Sequence, residues 1–269
     1  MPELPEMENY KKLLSNRIVG KTIDFVEVTR EKTVNLPLSQ FTSEVVNCRI
    51  VGIERRAKYL IFQLNSGKNL VVHLMLGGLI YLGTDQDAPD RTKQVTLSIG
   101  SMKLYFIGLR LGFLHLLSRQ ELISLVQDLG PEPLDASFTL PVYQDVVKKK
   151  RGILKTTLLN QKVLSGIGNL YSDEICYHAM VLPGRKISDL NEQEKITVYH
   201  SMKTVLQRGI QLGGYMDTPV FKGDTLTGQY NDHCYVYDRE GESCQRCHGT
   251  IVKVEISSRK SFYCPQCQK

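Results

Sequence analysis

The sequence predicts an α+β chain of several domains: a short N-terminal helix ahead of an antiparallel sandwich or barrel, a helical middle, and a C-terminal four-cysteine metal module. Three observations predict it. From Lys21 to Leu117 the apolar residues come in short or alternating runs separated by turn residues, which is the pattern of strands. After Gly130-Pro131-Glu132-Pro133, a rigid linker by composition, the apolar spacing becomes helical. Near the C-terminus stand two Cys-x-x-Cys pairs.

The chain has 269 residues, of which 42% are hydrophobic and 23% charged, enough to bury a core and too apolar for a disordered chain. No run approaches ~18 apolar residues, so a membrane-spanning helix is not expected. The start, Met1-Pro2-Glu3-Leu4-Pro5-Glu6, lacks the basic flank and apolar run of a secretory signal, and a cytoplasmic protein is expected. The formal net charge is +6, divided evenly about Gly130. That permits a polyanionic partner without requiring one.

In chain order, Met7, Tyr10, Leu13, Leu14 and Ile18 stand near helical spacing and predict the first helix. Strands are predicted over Ile23–Val28, Cys48–Ile53, Tyr59–Leu64, Leu70–Leu76, Leu79–Leu82, Val95–Ile99 and Met102–Ile107. Asn65-Ser66-Gly67-Lys68-Asn69 and Gly100-Ser101 supply hairpin turns. The clearest later helix begins at Asn191, which forms a capping-box pattern with Glu194, and ends in Gly213-Gly214. Residues 215–230, rich in Gly, Thr and Asp, are expected to form a mobile loop.

Cys244-Gln245-Arg246-Cys247 and Cys264-Pro265-Gln266-Cys267 are separated by sixteen residues, room for a β-hairpin. Two tight knuckles at that spacing can aim four thiolates at one tetrahedral zinc ion, two redox dithiols being the alternative. Cys48, Cys176 and Cys234 read as buried small hydrophobes.

Three further features could carry chemistry. Removal of Met1 would expose Pro2 as a secondary amine, nucleophilic near neutral pH and able to form an iminium ion with a sugar C1′. Glu3 and Glu6 stand beside it as proton donors and acceptors. Gly166-Ile167-Gly168-Asn169 allows a tight turn into a helix start, where backbone N–H groups and the Asn169 side chain would favour a phosphate; an ordinary helical corner is the alternative. The third feature is a set of scattered cations, Arg55, Arg56, Lys58, His73, Arg110, Lys155 and Arg259. Arg259 lies on the hairpin between the cysteine pairs, where its fork could grip phosphate.

Several of these motifs together resemble a family. Pro2-Glu3-Leu4-Pro5-Glu6, Arg55-Arg56-Ala57-Lys58-Tyr59-Leu60, Leu158-Leu159-Asn160-Gln161 leading into Gly166-Ile167-Gly168-Asn169-Leu170-Tyr171, and Ser258-Arg259 before Cys264-Pro265-Gln266-Cys267 are similar to those of bacterial formamidopyrimidine-DNA glycosylases. They occur in the family's order and span nearly the whole chain. The resemblance implies an N-terminal helix plus β-sandwich (1–130), a helix–two-turn–helix domain with a mobile loop (131–230) and a zinc finger (231–269), with DNA in a cleft. It implies Pro2 as Schiff-base nucleophile, Glu3 as general acid/base, Glu6 as support for the nucleophile, and Lys58 as a phosphate ligand assisting the chemistry. Asn169, Arg259 and His73 would hold phosphates, with Lys155 among the DNA-binding cations. One structural zinc per chain, a monomer and double-stranded DNA with oxidised bases or abasic sites complete the picture.

Two segments depart from the family pattern. Where the family has His-Leu-x-Met-x-Gly, this chain has His73-Leu74-Met75-Leu76-Gly77-Gly78, which puts Leu76 in the place of the apolar wedge that fills the gap left by a flipped base. Where the family has Asp-Val-Arg-Lys-Phe-Gly, this chain has Gly108-Leu109-Arg110-Leu111-Gly112-Phe113. Arg110 stands for the arginine that reads the orphaned base, and the phenylalanine is missing or displaced to Phe113 in a shortened loop. Ala57 and Ser258 replace glycines. The expected activity is a base-excision-repair DNA glycosylase with AP lyase (β,δ-elimination) activity. The alternative is a catalytically weak paralogue that binds damaged or distorted duplex. A zinc-ribbon scaffold for RNA or protein would leave the Pro2-Glu3 start unexplained.

Overall fold

The computed structural model describes residues 1–269, and the chain divides into two compact units. The first comprises Met1–Asp128 and Leu212–Gln229, the second Leu129–Gln211 and Tyr230–Lys269. No helix is long and apolar enough to cross a membrane.

The first unit opens with α1 (Leu4–Ile18), followed by β1 (Phe25–Val28), α2 (Leu38–Val45), β2 (Ile50–Arg56), β3 (Tyr59–Leu64), β4 (Asn69–His73), β5 (Leu79–Gly83), β6 (Lys93–Ile99), β7 (Met102–Ile107), β8 (Phe113–Leu117) and α3 (Arg119–Val126). The strands form two antiparallel four-stranded sheets, ordered β1-β6-β7-β5 and β2-β3-β4-β8. One core joins them: Phe62 of β3 meets Phe106 of β7 edge to face at 6.1 Å, and Leu14 and Ile18 of α1 belong to the same cluster. The arrangement is a sandwich, not a barrel. All seven strands expected from sequence are present, with two shortened: β1 begins at Phe25 and not at Ile23, and β4 stops at His73 because Met75 and Gly77 turn at positive φ. Helices α2 and α3 and strand β8 are additions.

The Gly-rich segment after Gly213 forms neither helix nor strand but is organised about Asp224. Its carboxylate accepts from the backbone N–H groups of Val220, Leu226 and Thr227 at 2.9, 3.0 and 3.2 Å. Phe221 lies under the Arg17 guanidinium, 3.4 Å from its centroid. The segment's composition suggests mobility, but an aspartate that closes turns on its own backbone gives it local order.

The second unit contains α4 (Leu140–Lys148), α5 (Leu154–Leu159), α6 (Asn169–His178), α7 (Glu192–Gln211) and the hairpin β9 (Val252–Ile256) and β10 (Arg259–Tyr263). The capping box at α7 forms in both directions: Asn191 N–H donates to Glu194 Oε2 at 2.8 Å, and Glu194 N–H to Asn191 Oδ1 at 2.9 Å. Helix α5 ends at Leu159, and residues 160–168 form the turn that leads into α6 at Asn169.

Candidate functional site

In the first unit, Pro2, Glu3 and Glu6 are buried at the N-terminus of α1. The Glu3 N–H donates to Glu6 Oε2 at 2.7 Å, and Glu6 Oε1 accepts from the Tyr215 N–H at 2.9 Å. Two carboxylates at a helix N-terminus lie at the favourable end of its dipole. The Met1 ammonium beside them is pressed below its ordinary value by burial, with Glu3 and Glu6 opposing and Lys58 adding to the fall.

Lys58 is buried at the β2–β3 hairpin and lies close enough to influence both that amine and His73. The hairpin is fixed by Arg55, whose Nε donates to Glu8 of α1 at 2.8 Å and whose Nη1 donates to the Ala57 carbonyl at 3.0 Å. Ala57 itself has φ +52°. Alanine for glycine there costs about 1–2 kcal/mol in the turn that presents Lys58. Ser258, before Arg259, carries the same strain at φ +60°.

His73 pairs with Tyr59 and Phe113 in the strand register, and its ring lies 4.8 Å from that of Tyr59 and 6.0 Å from that of Phe113. Its Nδ1 is buried without a partner. Burial, then Lys58, lowers its pKa to about 4, so the imidazole is neutral at physiological pH. A neutral imidazole could donate a hydrogen bond to a phosphate but could not form an ion pair with it.

Leu76 is at the tip of the β4–β5 turn, 69% exposed, and Leu111 is 66% exposed in the β7–β8 loop. Both line an open pocket with Arg91, Gln94, Gly108 and Arg110. The turn is held by Arg91, whose Nη2 donates to the Gly77 carbonyl at 2.7 Å. The loop is held by Arg30, whose Nη1 donates to the Leu109 and Arg110 carbonyls at 3.1 and 2.6 Å. Gly112 passes the His73 carbonyl so closely that a Cβ would lie 2.4 Å from that oxygen. Phe113 is not displaced into this pocket. It begins β8 and stacks on His115 at 4.1 Å, because strand alternation turns it onto the sheet face beside His73. Leu111 is the residue beside Arg110 in the pocket, an apolar side chain left exposed in the loop before β8.

In the second unit, Asn169 is the first residue of α6, and its Nδ2 donates to the Lys260 carbonyl of β10 at 2.9 Å. That contact places it one residue from Arg259, which is exposed at the start of the same strand. Lys155 is different. Its side chain is wholly buried, with Nζ 2.6 Å from Asp173 Oδ1. Asp173 also accepts from Ser261 Oγ at 2.7 Å and Phe262 N–H at 3.0 Å. A buried ammonium already paired with a carboxylate ties α5 to α6 and is not exposed to a phosphate; the expectation that Lys155 contacts DNA directly is corrected accordingly. Burial raises the Asp173 pKa to about 6 despite that partner.

Glu174, next in α6, accepts from the backbone N–H groups of Tyr235, Val236 and Tyr237 at 2.8, 2.9 and 3.0 Å and from Tyr230 Oη at 3.2 Å. It fixes the chain entering the cysteine module. Asp173 and Glu174, two adjacent acids inside a buried helix, carry a polar anchoring role that the sequence motifs do not announce.

Cys244, Cys247, Cys264 and Cys267 bring their sulfur atoms within 4.8 Å of one another. Cys244 and Cys267 sulfurs are 3.8 Å apart, Cys247 and Cys264 sulfurs 3.4 Å. A tetrahedral ion with bonds of about 2.3 Å requires sulfur separations of about 3.8 Å, so the four residues fit a Cys₄ metal. The Tyr177 hydroxyl and the Arg246 guanidinium stand at 3.4 and 3.5 Å from the Cys244 and Cys267 sulfurs. Neither was foreseen from sequence.

Comparison with known proteins agrees with this architecture. Residues 1–113 match the formamidopyrimidine-DNA glycosylase N-terminal domain, 129–218 its H2TH domain, and 241–269 the zinc finger found in FPG and IleRS. The chain is 34% identical to the formamidopyrimidine-DNA glycosylase of Pelotomaculum thermopropionicum, covering 100% of this chain and 99% of that one. It is 35% identical to that of Heliobacterium modesticaldum, covering both chains fully at 100%. Among solved structures, Lactococcus lactis Fpg in complex with DNA containing an abasic site superposes with a TM-score of 0.91 at 31% identity over 99% of each chain. A point mutant of the same Lactococcus lactis protein, bound to Fapy-dG-containing DNA, gives 0.91 at 32% identity over 100% of each. The chain therefore belongs to the formamidopyrimidine-DNA glycosylase family.

Proposed function

We propose that this protein is a base-excision-repair DNA glycosylase with AP lyase activity on oxidised bases in duplex DNA. The single observation that carries the reading is the cluster of Pro2, Glu3 and Glu6 buried at the start of α1, with Lys58 close enough to act on the Met1 amine that precedes Pro2. Once Met1 is removed, the Pro2 nitrogen attacks C1′ and the base departs with the bonding electrons; the nitrogen then gives up its remaining proton as the C1′–O4′ bond breaks, Glu3 protonates O4′, and a ring-opened iminium ion is left on the sugar. The iminium acidifies the C2′ protons, and Glu3 takes one as β-elimination expels the 3′-phosphate; the conjugated iminium then acidifies the C4′ proton, whose loss expels the 5′-phosphate in δ-elimination. Lys58 and Arg110 serve lesion and opposite-base contacts, Leu76 and Leu111 fill the gap left by the extruded nucleotide, and Asn169 and Arg259 grip its phosphates. The partner is a DNA duplex bearing an oxidised base or an abasic site, the substrate type bound in the Lactococcus lactis complexes.

The four cysteines are read as ligands of one structural zinc, which supplies the rigidity of the hairpin that carries Arg259 and no step of the reaction. The second reading, a weak paralogue that binds distorted duplex, draws support from one observation: leucines alone stand beside Arg110 where the family places a phenylalanine. Single-turnover cleavage of duplexes containing 8-oxoguanine, a hydantoin or an abasic site, by the wild type and by Pro2→Gly, separates the two. Cleavage that depends on Pro2 is expected; tight binding without cleavage of any of them would favour the paralogue.

A further inference from the structure

Tyr215 follows two glycines at positive φ, +68° for Gly213 and +75° for Gly214. At Gly214 a Cβ would lie 2.4 Å from Glu6 Oε1, so only glycine lets the chain pass the carboxylate this closely. The bend aims two groups of Tyr215 at the start of the chain. Its backbone N–H donates to Glu6 Oε1 at 2.9 Å. Its hydroxyl accepts from the Met1 ammonium at 2.9 Å and donates to the Met1 carbonyl oxygen at 2.6 Å.

That carbonyl belongs to the peptide whose nitrogen is Pro2's. With C=O and C–N bonds of about 1.23 and 1.33 Å, the Tyr215 hydroxyl lies within about 5 Å of the Pro2 nitrogen. The ionisable groups that act on the neighbouring Met1 ammonium are Glu3 and Glu6 at the start of α1 and Lys58 from the β2–β3 hairpin. Beside these charged groups Tyr215 offers a neutral hydroxyl at the start of the chain, able to accept an N–H without adding charge.

We propose that Tyr215 is a positioning residue for the Pro2 nucleophile: after Met1 is removed, its hydroxyl accepts one N–H of the Pro2 secondary amine. The proposal rests on the reading of Pro2 as nucleophile. A secondary ammonium has two N–H bonds. If Tyr215 retains one, the proton that leaves comes from the other face, and the lone pair it uncovers points away from the phenol toward the sugar. When the nitrogen bonds to C1′ and becomes an iminium it has no hydrogen left, so the contact ends there. Tyr215 therefore acts on amine attack and not on the eliminations that follow.

The test is the rate of borohydride-trappable adduct on an abasic duplex from pH 5 to 9, with wild type, Tyr215→Phe and Pro2→Gly, alongside affinity for a tetrahydrofuran duplex that cannot react. Phenylalanine keeps the ring, and melting temperature checks the fold. The loss of one hydrogen bond predicts an adduct rate about tenfold lower on the alkaline plateau. The midpoint of the profile should move to lower pH, since the ammonium loses an acceptor, while elimination from the formed adduct and affinity for the tetrahydrofuran duplex stay as in wild type. An adduct on Pro2 with unchanged rate and midpoint in Tyr215→Phe would overturn the role of Tyr215 alone. So would weaker tetrahydrofuran binding with an unmoved midpoint, the signature of a merely structural role. An adduct on another residue, or one undiminished in Pro2→Gly, would overturn the reading of Pro2 and this proposal with it.

Discussion

The Tyr177 hydroxyl of helix α6 lies 3.4 Å from the Cys244 sulfur. The same helix begins at Asn169, which bonds to the β9–β10 hairpin, so both ends of α6 are fastened to the cysteine module. A hydroxyl donating to a metal-bound thiolate lowers its residual charge and its tendency to leave the metal. Partners of this kind are worth roughly ten- to a hundredfold in metal affinity. Tyr177→Phe is expected to release the metal held by the four cysteines to a chromophoric chelator about tenfold faster, with the sandwich unaffected by circular dichroism. Release at the wild-type rate would remove Tyr177 from the metal site's support.

Glu174 is the second anchor of that module. Its carboxylate serves three backbone N–H groups and a tyrosine hydroxyl. Hydrogen bonds to a charged acceptor contribute about 1.5–3 kcal/mol each, and buried donors left without one are penalised. Glu174→Ala is expected to cost on the order of 3 kcal/mol or more in chemical denaturation of the second unit. A loss below about 0.5 kcal/mol would mean the entry strand is held by other means.

His73 supplies a pH prediction. Its pKa falls to about 4 in the fold, chiefly through burial, from an ordinary value of 6.5. Between those values the unfolded chain takes up a proton that the folded chain refuses. This residue's contribution to stability is therefore complete above about pH 6.5 and declines as pH falls toward 4. The NMR titration of its ring should show a midpoint below 5. A midpoint at 6.5 or higher would make it a cation able to pair with phosphate.

Much of this was legible beforehand because local rules decide it. The Asn191–Glu194 capping box, the cysteine knuckles and strands Tyr59–Leu64 and Met102–Ile107 each follow from a few adjacent residues, and all appear as expected. What was not legible depends on distant partners. Lys155 reads as a free cation until Asp173, eighteen residues on, is seen to neutralise it. Tyr215 reads as part of a mobile loop until its hydrogen bonds reach across 214 positions to Met1. Phe113 could be assigned to the pocket only while the start of β8 was unknown.

The leucines beside Arg110 predict the pattern of substrate choice. A well-set bidentate arginine gives about 1–3 kcal/mol of base discrimination, roughly ten- to a hundredfold. Leu111 offers the guanidinium no aromatic face to stack on, so discrimination among bases opposite the lesion should be weaker than that, and duplex-distorting hydantoins should be excised faster than 8-oxoguanine paired with cytosine. Leu111→Phe is expected to raise the cytosine preference. Single-turnover excision opposite all four bases checks it; a strong cytosine preference in the wild type would contradict the reading.

The central claim is that a secondary amine at Pro2 bonds to the sugar, and one measurement addresses it most directly. An abasic duplex is incubated with the protein under borohydride, and the trapped complex is digested and mapped by mass spectrometry. The DNA remnant should be found on the peptide that begins at Pro2, without Met1. A remnant on an internal lysine such as Lys58, or no adduct from a chain whose mass shows Met1 removed, would contradict the account.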